Sequence, residues 1–203
     1  MTRTIAAVLF PEFEMLDLYG PLEMFSFFRD DFEIRTVAST AGPVFASGGP
    51  ATVAQDAMAD GRDYDILLVP GGRGTRYVDS DAEVLGWLAR QTEQAERVTS
   101  VCTGSLLLAK AGVLNGRRAT TNKLAFDWVA DQISGVDWQR SARWVRDGKF
   151  YTSSGVSAGM DMALALIADL LGEEAAEQAS MWAEYVRNPD PGNDPFEIKE
   201  SET

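Results

Sequence analysis

The chain is expected to fold as an α/β layer structure around a mostly parallel sheet, and three observations carry that expectation. Residues 4–10 and 65–72 are near-continuous apolar runs, the pattern of strands buried on both faces. Segments with helical spacing of apolar residues lie between such runs, so strands and helices alternate. Glycine turns close two of the strands, at Pro70-Gly71-Gly72 and at Cys102-Thr103-Gly104.

Residues 4–10 form the first strand. Residues 14–28 follow with helical spacing, and Gly20-Pro21 is expected to kink that helix or restart it. Residues 32–39 read as a strand, and residues 44–53, interrupted by Gly48-Gly49-Pro50, as a hairpin or paired edge strands. After the strand at 65–72, residues 79–93 place Val84, Trp87 and Leu88 on one helical face, and residues 97–102 supply the next strand. A short helix at 106–111 is stopped by Gly112. Residues 119–121, 138–145 and 150–153 read as further strands. Helices at 157–171 and 173–186 close the fold, with Gly172 as a C-cap between them.

With 203 residues, 45% of them hydrophobic, the chain holds enough apolar surface for one core, and residues 1–186 are expected to form a single domain. The tail at 187–203 carries Pro189, Pro191 and Pro195, which exclude helix and sheet, so it is expected to be an extended strap or a frayed, partly disordered end.

Lys and Arg number 18 against 31 Asp and Glu, a formal charge of −13 that repels phosphate backbones and anionic lipid. Nucleic acid and membrane are therefore disfavoured as partners. The apolar stretch at 160–171 contains Asp161 and Asp169 and is too short to span a bilayer, and the first residues lack a secretory pattern. One cysteine excludes an internal disulfide, and the chain is expected to be cytoplasmic.

That cysteine, Cys102, lies between an apolar β-type run and a helix-type run in a chain without histidine. A thiol where a strand turns into a helix faces the unpaired N–H groups of the helix, which favour thiolate. Cys102 is therefore expected to titrate below a free thiol. Without histidine, its activating acid or base must be a carboxylate. A lone cysteine also reads as a small buried hydrophobe. Asp17, between Leu16 and Leu18, is the candidate carboxylate, because burial among apolar neighbours would raise its pKa and let it hold a proton. It also reads as an ordinary acid near a helix start. Glu12, Glu14 and Glu23 are taken as exposed.

In an open parallel sheet, ligands sit beyond the carboxyl ends of the strands. The segments carrying Asp17, Gly71-Gly72 and Cys102-Thr103-Gly104 are expected to converge there, with Gly104 allowing a tight turn and the Gly72 and Thr103 amides serving as oxyanion donors. Each glycine alone also fits an ordinary turn. Met24, Phe25, Trp128, Trp182 and Tyr185 are read as pocket lining or as core. No cofactor is called for, and without histidine the lone cysteine gives no closed metal site.

The order of Leu16-Asp17-Leu18-Tyr19-Gly20-Pro21-Leu22-Glu23, Val69-Pro70-Gly71-Gly72, Val101-Cys102-Thr103-Gly104-Ser105, Gly112 to Thr121 and Ser154 to Asp161 resembles the ThiJ/PfpI superfamily, and within it the isocyanide hydratases and the ligand-domain relatives found in AraC-type regulators. The resemblance implies a flavodoxin-like sandwich with helices on both faces, a homodimer, a cysteine on a strained elbow, and an acid from the first helix, here Asp17, bonded to its sulfur. Isocyanide hydratases carry aspartate there and share the Cys-Thr-Gly turn. Where protease-like and regulator-like relatives place Thr-His-Trp, this chain has Thr121-Asn122-Lys123, a departure that argues against peptidase and histidine-assisted glyoxalase chemistry.

The leading expectation is hydration of a small-molecule organic isocyanide to an N-substituted formamide. In it, Cys102 is the nucleophile, Asp17 the proton carrier and Thr103 the orienting residue, and Gly71, Gly72 and Gly104 shape the oxyanion and substrate-binding turn. The alternatives are a glyoxalase-like carbonyl activity and a redox or electrophile sensor without turnover.

Overall fold

The structure is a computed structural model, and it describes residues 2–197. β1 (Arg3–Val8) leads into α1 (Met15–Ser26), β2 (Phe32–Ala38), β3 (Gly42–Phe45), β4 (Ala51–Ala54), β5 (Asp56–Ala57), β6 (Ile66–Val69), α2 (Thr75–Val78), α3 (Ala82–Gln94), β7 (Arg97–Val101) and α4 (Gly104–Lys110). The chain continues through β8 (Arg118–Ala119), α5 (Phe126–Ala130), β9 (Asp137–Trp138), β10 (Trp144–Asp147), β11 (Phe150–Ser153), α6 (Ala158–Leu171) and α7 (Glu173–Trp182).

Seven strands form one sheet in the order β10-β11-β7-β6-β1-β2-β5, parallel except where β10 runs against β11. The apolar runs read as two-face-buried strands are those: Ile5 to Val8 and Ile66 to Val69 are fully shielded from solvent. Helices cover both faces and complete an α/β sandwich. The chain steps from β1 to β2 on one side and to β6 on the other. A crevice therefore opens beyond the carboxyl ends of β1, β6 and β7, the switch point where such sheets bind ligands.

Sequence and structure differ in a few places. Helix α1 runs unbroken through Pro21. The Gly20-Pro21 pair packs closely against α6 instead: a Cβ at Gly20 would meet Met160 Cγ at 3.0 Å, and one at Gly159 would meet Pro21 Cγ at 3.2 Å. The expected strand at 138–145 divides. Its first residue belongs to β9, which pairs with β8 in a separate two-stranded sheet, and its last two to β10. Residues 139–143 belong to neither strand, and Arg143 at their end pairs with Asp161, with Nε 2.6 Å from Oδ2. The last helix ends at Trp182 rather than at 186, and α2 and α5 are too short to show a helical period. The last six residues of the predicted tail, 198–203, lie outside the described residues. No helix among the described residues is long and apolar enough to cross a membrane.

Candidate active site

Cys102 directly follows β7 with φ of +57°, a left-handed conformation that is strained for a residue with a side chain. Its backbone is held on both sides. The amide donates to the carbonyls of Ser153 (3.2 Å) and Ser154 (3.1 Å), and the carbonyl accepts from the hydroxyls of Thr121 (3.0 Å) and Ser105 (3.1 Å). α4 begins two residues later, and Gly104 makes that possible: a Cβ there would stand 2.2 Å from the Val69 carbonyl oxygen. The strand end, the elbow and the helix start thus lock the thiol at one spot, 7% exposed.

Asp17, in the first turn of α1, has no solvent exposure. Its Oδ2 accepts from the Gly71 amide at 3.0 Å, whereas Oδ1 lies buried without a hydrogen bond of ordinary geometry. Burial, opposed by that amide and reinforced by the Glu14 charge, pushes the carboxyl up to about 7, and it interacts directly with the Cys102 thiol. Gly71 must be glycine for this contact, because a Cβ would fall 2.6 Å from the Thr103 nitrogen and 2.9 Å from Asp17 Oδ2.

The thiol does not follow the sequence expectation of a low pKa. Burial and the Asp17 charge push it up, and the amide and hydroxyl of Thr103, which act on the sulfur in the opposite sense, are outweighed. Below about pH 7 the pair therefore holds two protons, one on each group; above it, the pair holds one.

Of the two expected oxyanion amides, that of Thr103 acts on the Cys102 sulfur, whereas that of Gly72 donates to Thr103 Oγ1 at 3.1 Å and so positions a protein group, as the Gly71 amide does for Asp17. Thr75 was not anticipated. It is fully buried, and its hydroxyl lies 3.1 Å from Thr103 Oγ1 and 2.8 Å from the Gly72 carbonyl. A threonine opening a four-residue helix carries no signal in sequence.

A cavity of about 230 Å³ opens over Cys102, lined by Glu14, Gly72, Arg73, Thr75, Arg76, Thr103, Asn122 and Val156. Glu12 and Glu14, expected to be exposed, are half-buried, Glu14 in this wall, while Glu23 is exposed. The aromatic and methionine residues considered for the pocket lie elsewhere. Met24 and Phe25 are core, Trp182 packs against Phe27 and Phe28, Tyr185 donates to Asp161, and Trp128 lies under the Arg76 guanidinium, 4.0 Å from its ring centre.

This arrangement, with a cysteine on a left-handed elbow facing an acid from the first helix, accompanies a match of residues 3–169 to the profile of the DJ-1/PfpI family. The chain belongs to the DJ-1/PfpI family. It is 35% identical over 193 residues to an isonitrile hydratase of Pseudomonas putida, covering 93% of this chain and 81% of that one. The crystal structure of a ThiJ/PfpI family protein from Pseudomonas syringae superimposes with a TM-score of 0.82 at 34% identity, covering 98% of this chain and 80% of that one. An HTH-type transcriptional regulator of Pseudomonas aeruginosa is 28% identical over 184 residues, which are 89% of this chain and 54% of the regulator. DJ-1/PfpI membership therefore spans both enzymes and regulators, and the fold alone does not choose between them.

Proposed function

We propose that the chain is an enzyme that hydrates organic isocyanides to N-substituted formamides. The observation that carries this reading is the buried Asp17–Cys102 pair, a carboxyl held by the Gly71 amide against a thiol on a left-handed elbow. Similarity to the isonitrile hydratase along most of both chains supports it.

In this reading, Asp17 takes the Cys102 proton as the sulfur attacks the terminal isocyanide carbon, and the Thr103 amide and hydroxyl stabilise the charge building on sulfur. Asp17 then returns the proton to that carbon. An S–C bond and a C–H bond have formed, and the product is a thioimidate on Cys102. Water adds to the thioimidate carbon, one of its protons passing through Asp17 to the nitrogen. The C–S bond breaks as the remaining hydroxyl proton passes through Asp17 to the sulfur, and the formamide leaves. Gly71 holds Asp17 and Gly72 holds Thr103, so the turn residues act by positioning.

The raised thiol and its burial argue against an oxidation sensor, whose cysteine needs thiolate character and access. Incubation with an alkyl isocyanide, followed by NMR, is expected to give the formamide, and no consumption of methylglyoxal is expected in parallel. Absence of formamide, or preferred turnover of the dicarbonyl, would overturn the assignment.

A further inference from the structure

A second cavity, of about 360 Å³, adjoins the one over Cys102 and shares Asn122 and Val156 with it. Leu16, Leu124, Val156 and Phe196 give it apolar walls. Its volume lies at the small end of the range of roughly 300–1,000 Å³ typical of small-molecule sites. Leu16 precedes Asp17, and the carbonyl of Ser154, another lining residue, accepts from the Cys102 amide. The cavity is therefore built from the same segments that hold the reacting pair.

One wall comes from far along the chain. After α7, residues 188–197 return across the carboxyl edge of the sheet. The Asn188 amide donates to Asp161 at 2.8 Å, and the Pro191 carbonyl accepts from the Arg143 amide at 2.9 Å. Asp194 is then sunk to 4% exposure among Ser154, whose hydroxyl donates to it, Arg143 Nη1 at 3.5 Å and Lys123 Nζ at 3.8 Å. Its other role is local: Oδ1 accepts from the Phe196 amide at 3.1 Å and turns the chain so that Phe196 comes to the cavity, still 67% exposed at the rim. A buried carboxylate with two cations is an unusual feature for a proline-rich terminus. It also gives Lys123 a structural task beside Asn122.

We propose that this strap makes Phe196 a wall of the substrate pocket, pinned there by Asp194, so that Phe196 sets the size of the apolar substituent that reaches Cys102. The proposal rests on the hydratase reading for its substrate and on the geometry for its residues. Phe196 is a specificity-determining residue and Asp194 a positioning residue. Neither touches the reacting atoms.

Two measurements separate the proposal from that reading. In the first, Phe196→Ala is expected to raise KM for benzyl isocyanide by roughly tenfold, the scale of one apolar contact in a pocket. kcat should hold, and KM for methyl isocyanide should not move. In the second, Cys102 is alkylated by iodoacetamide or by its N-benzyl derivative, with loss of iodide and without any turnover. Phe196→Ala should slow the benzyl reagent relative to the small one by a similar factor. Asp194→Asn should reproduce both selectivities while the Phe196 and Glu197 amides lose protection from hydrogen exchange. If the alkylation preference shifts but wild-type protein makes no formamide, the pocket wall stands and the hydratase reading falls. If formamide is made and neither preference changes in Phe196→Ala, the proposal falls. It falls equally if Asp194→Asn frees the strap amides and leaves both preferences intact.

Discussion

Asp17 in the first turn of α1 and Asp161 in the first turn of α6 are both completely buried carboxylates, but their partners differ in kind. Asp161 accepts from Arg143 Nε at 2.6 Å, Tyr185 at 3.1 Å and the Asn188 amide at 2.8 Å. Asp17 has one amide donor and a thiol, with no cation against it. A buried carboxylate saturated with donors acts as a clamp, and here it fastens α6 to the strap. One that is short of donors holds a proton reluctantly lost and readily passed on. The difference between these two aspartates divides the carboxyl edge of the sheet into a part that holds and a part that reacts.

The largest effect should come from the reacting side. Cys102→Ala is expected to remove isocyanide turnover below detection while leaving the folded structure intact, measured by formamide NMR and circular dichroism. Asp17→Asn keeps a side chain for the Gly71 amide but cannot carry a proton, so turnover should fall by roughly 10²–10⁴-fold. The wild-type kcat/KM should rise with pH and level off above about 7, where the pair has given up its first proton.

Stability should move the other way. The folded pKa of about 7 exceeds the unfolded value of 3.8, so the wild type loses stability as pH rises between those values. Asp17→Asn escapes that loss and should be more stable than wild type at pH 8, by on the order of 4 kcal/mol at one pKa unit per 1.36 kcal/mol, with no gain near pH 4. Denaturant melts at the two pH values check the sign.

On the holding side, Asp161→Asn should cost about 3–5 kcal/mol, because it removes the nearer of the two carboxylates that neutralise the buried Arg143 and leaves only the longer contact with Asp194, without the rate loss of Asp17→Asn. Asp81 provides a third carboxylate at a helix start, this one in solvent reach, capping α3 through the Glu83 and Val84 amides at 3.0 and 3.2 Å. Asp81→Ala should cost only about 1 kcal/mol and leave turnover unchanged.

The sequence revealed the reacting side more fully than the holding side, for a physical reason. The strands at 4–10 and 65–72 and the elbow at Cys102 announce themselves through runs of apolar residues and local glycines, and Asp17 stands out as an acid between leucines. Arg143 and Asp194 carry no such local mark. Their meaning arises from contacts across 18 and 51 residues of chain, and Arg143 looked like a polar position in a strand. The same limit explains the thiol: a helix start is visible in sequence, but the depth of burial that outweighs it is not. Glu14 and Thr75 reach the site through loop geometry that no periodicity encodes.

The central claim is that Asp17 keeps its proton until about pH 7 while Cys102 keeps its own, and isotope-edited infrared spectroscopy of the protonated carboxyl stretch, wild type against Asp17→Asn, tests it most directly. A carboxylic acid band present at pH 5 and lost with a midpoint near 7 is expected. A band absent at pH 5, with Asp17 ionised down to the ordinary carboxylate range of about 4, would contradict it.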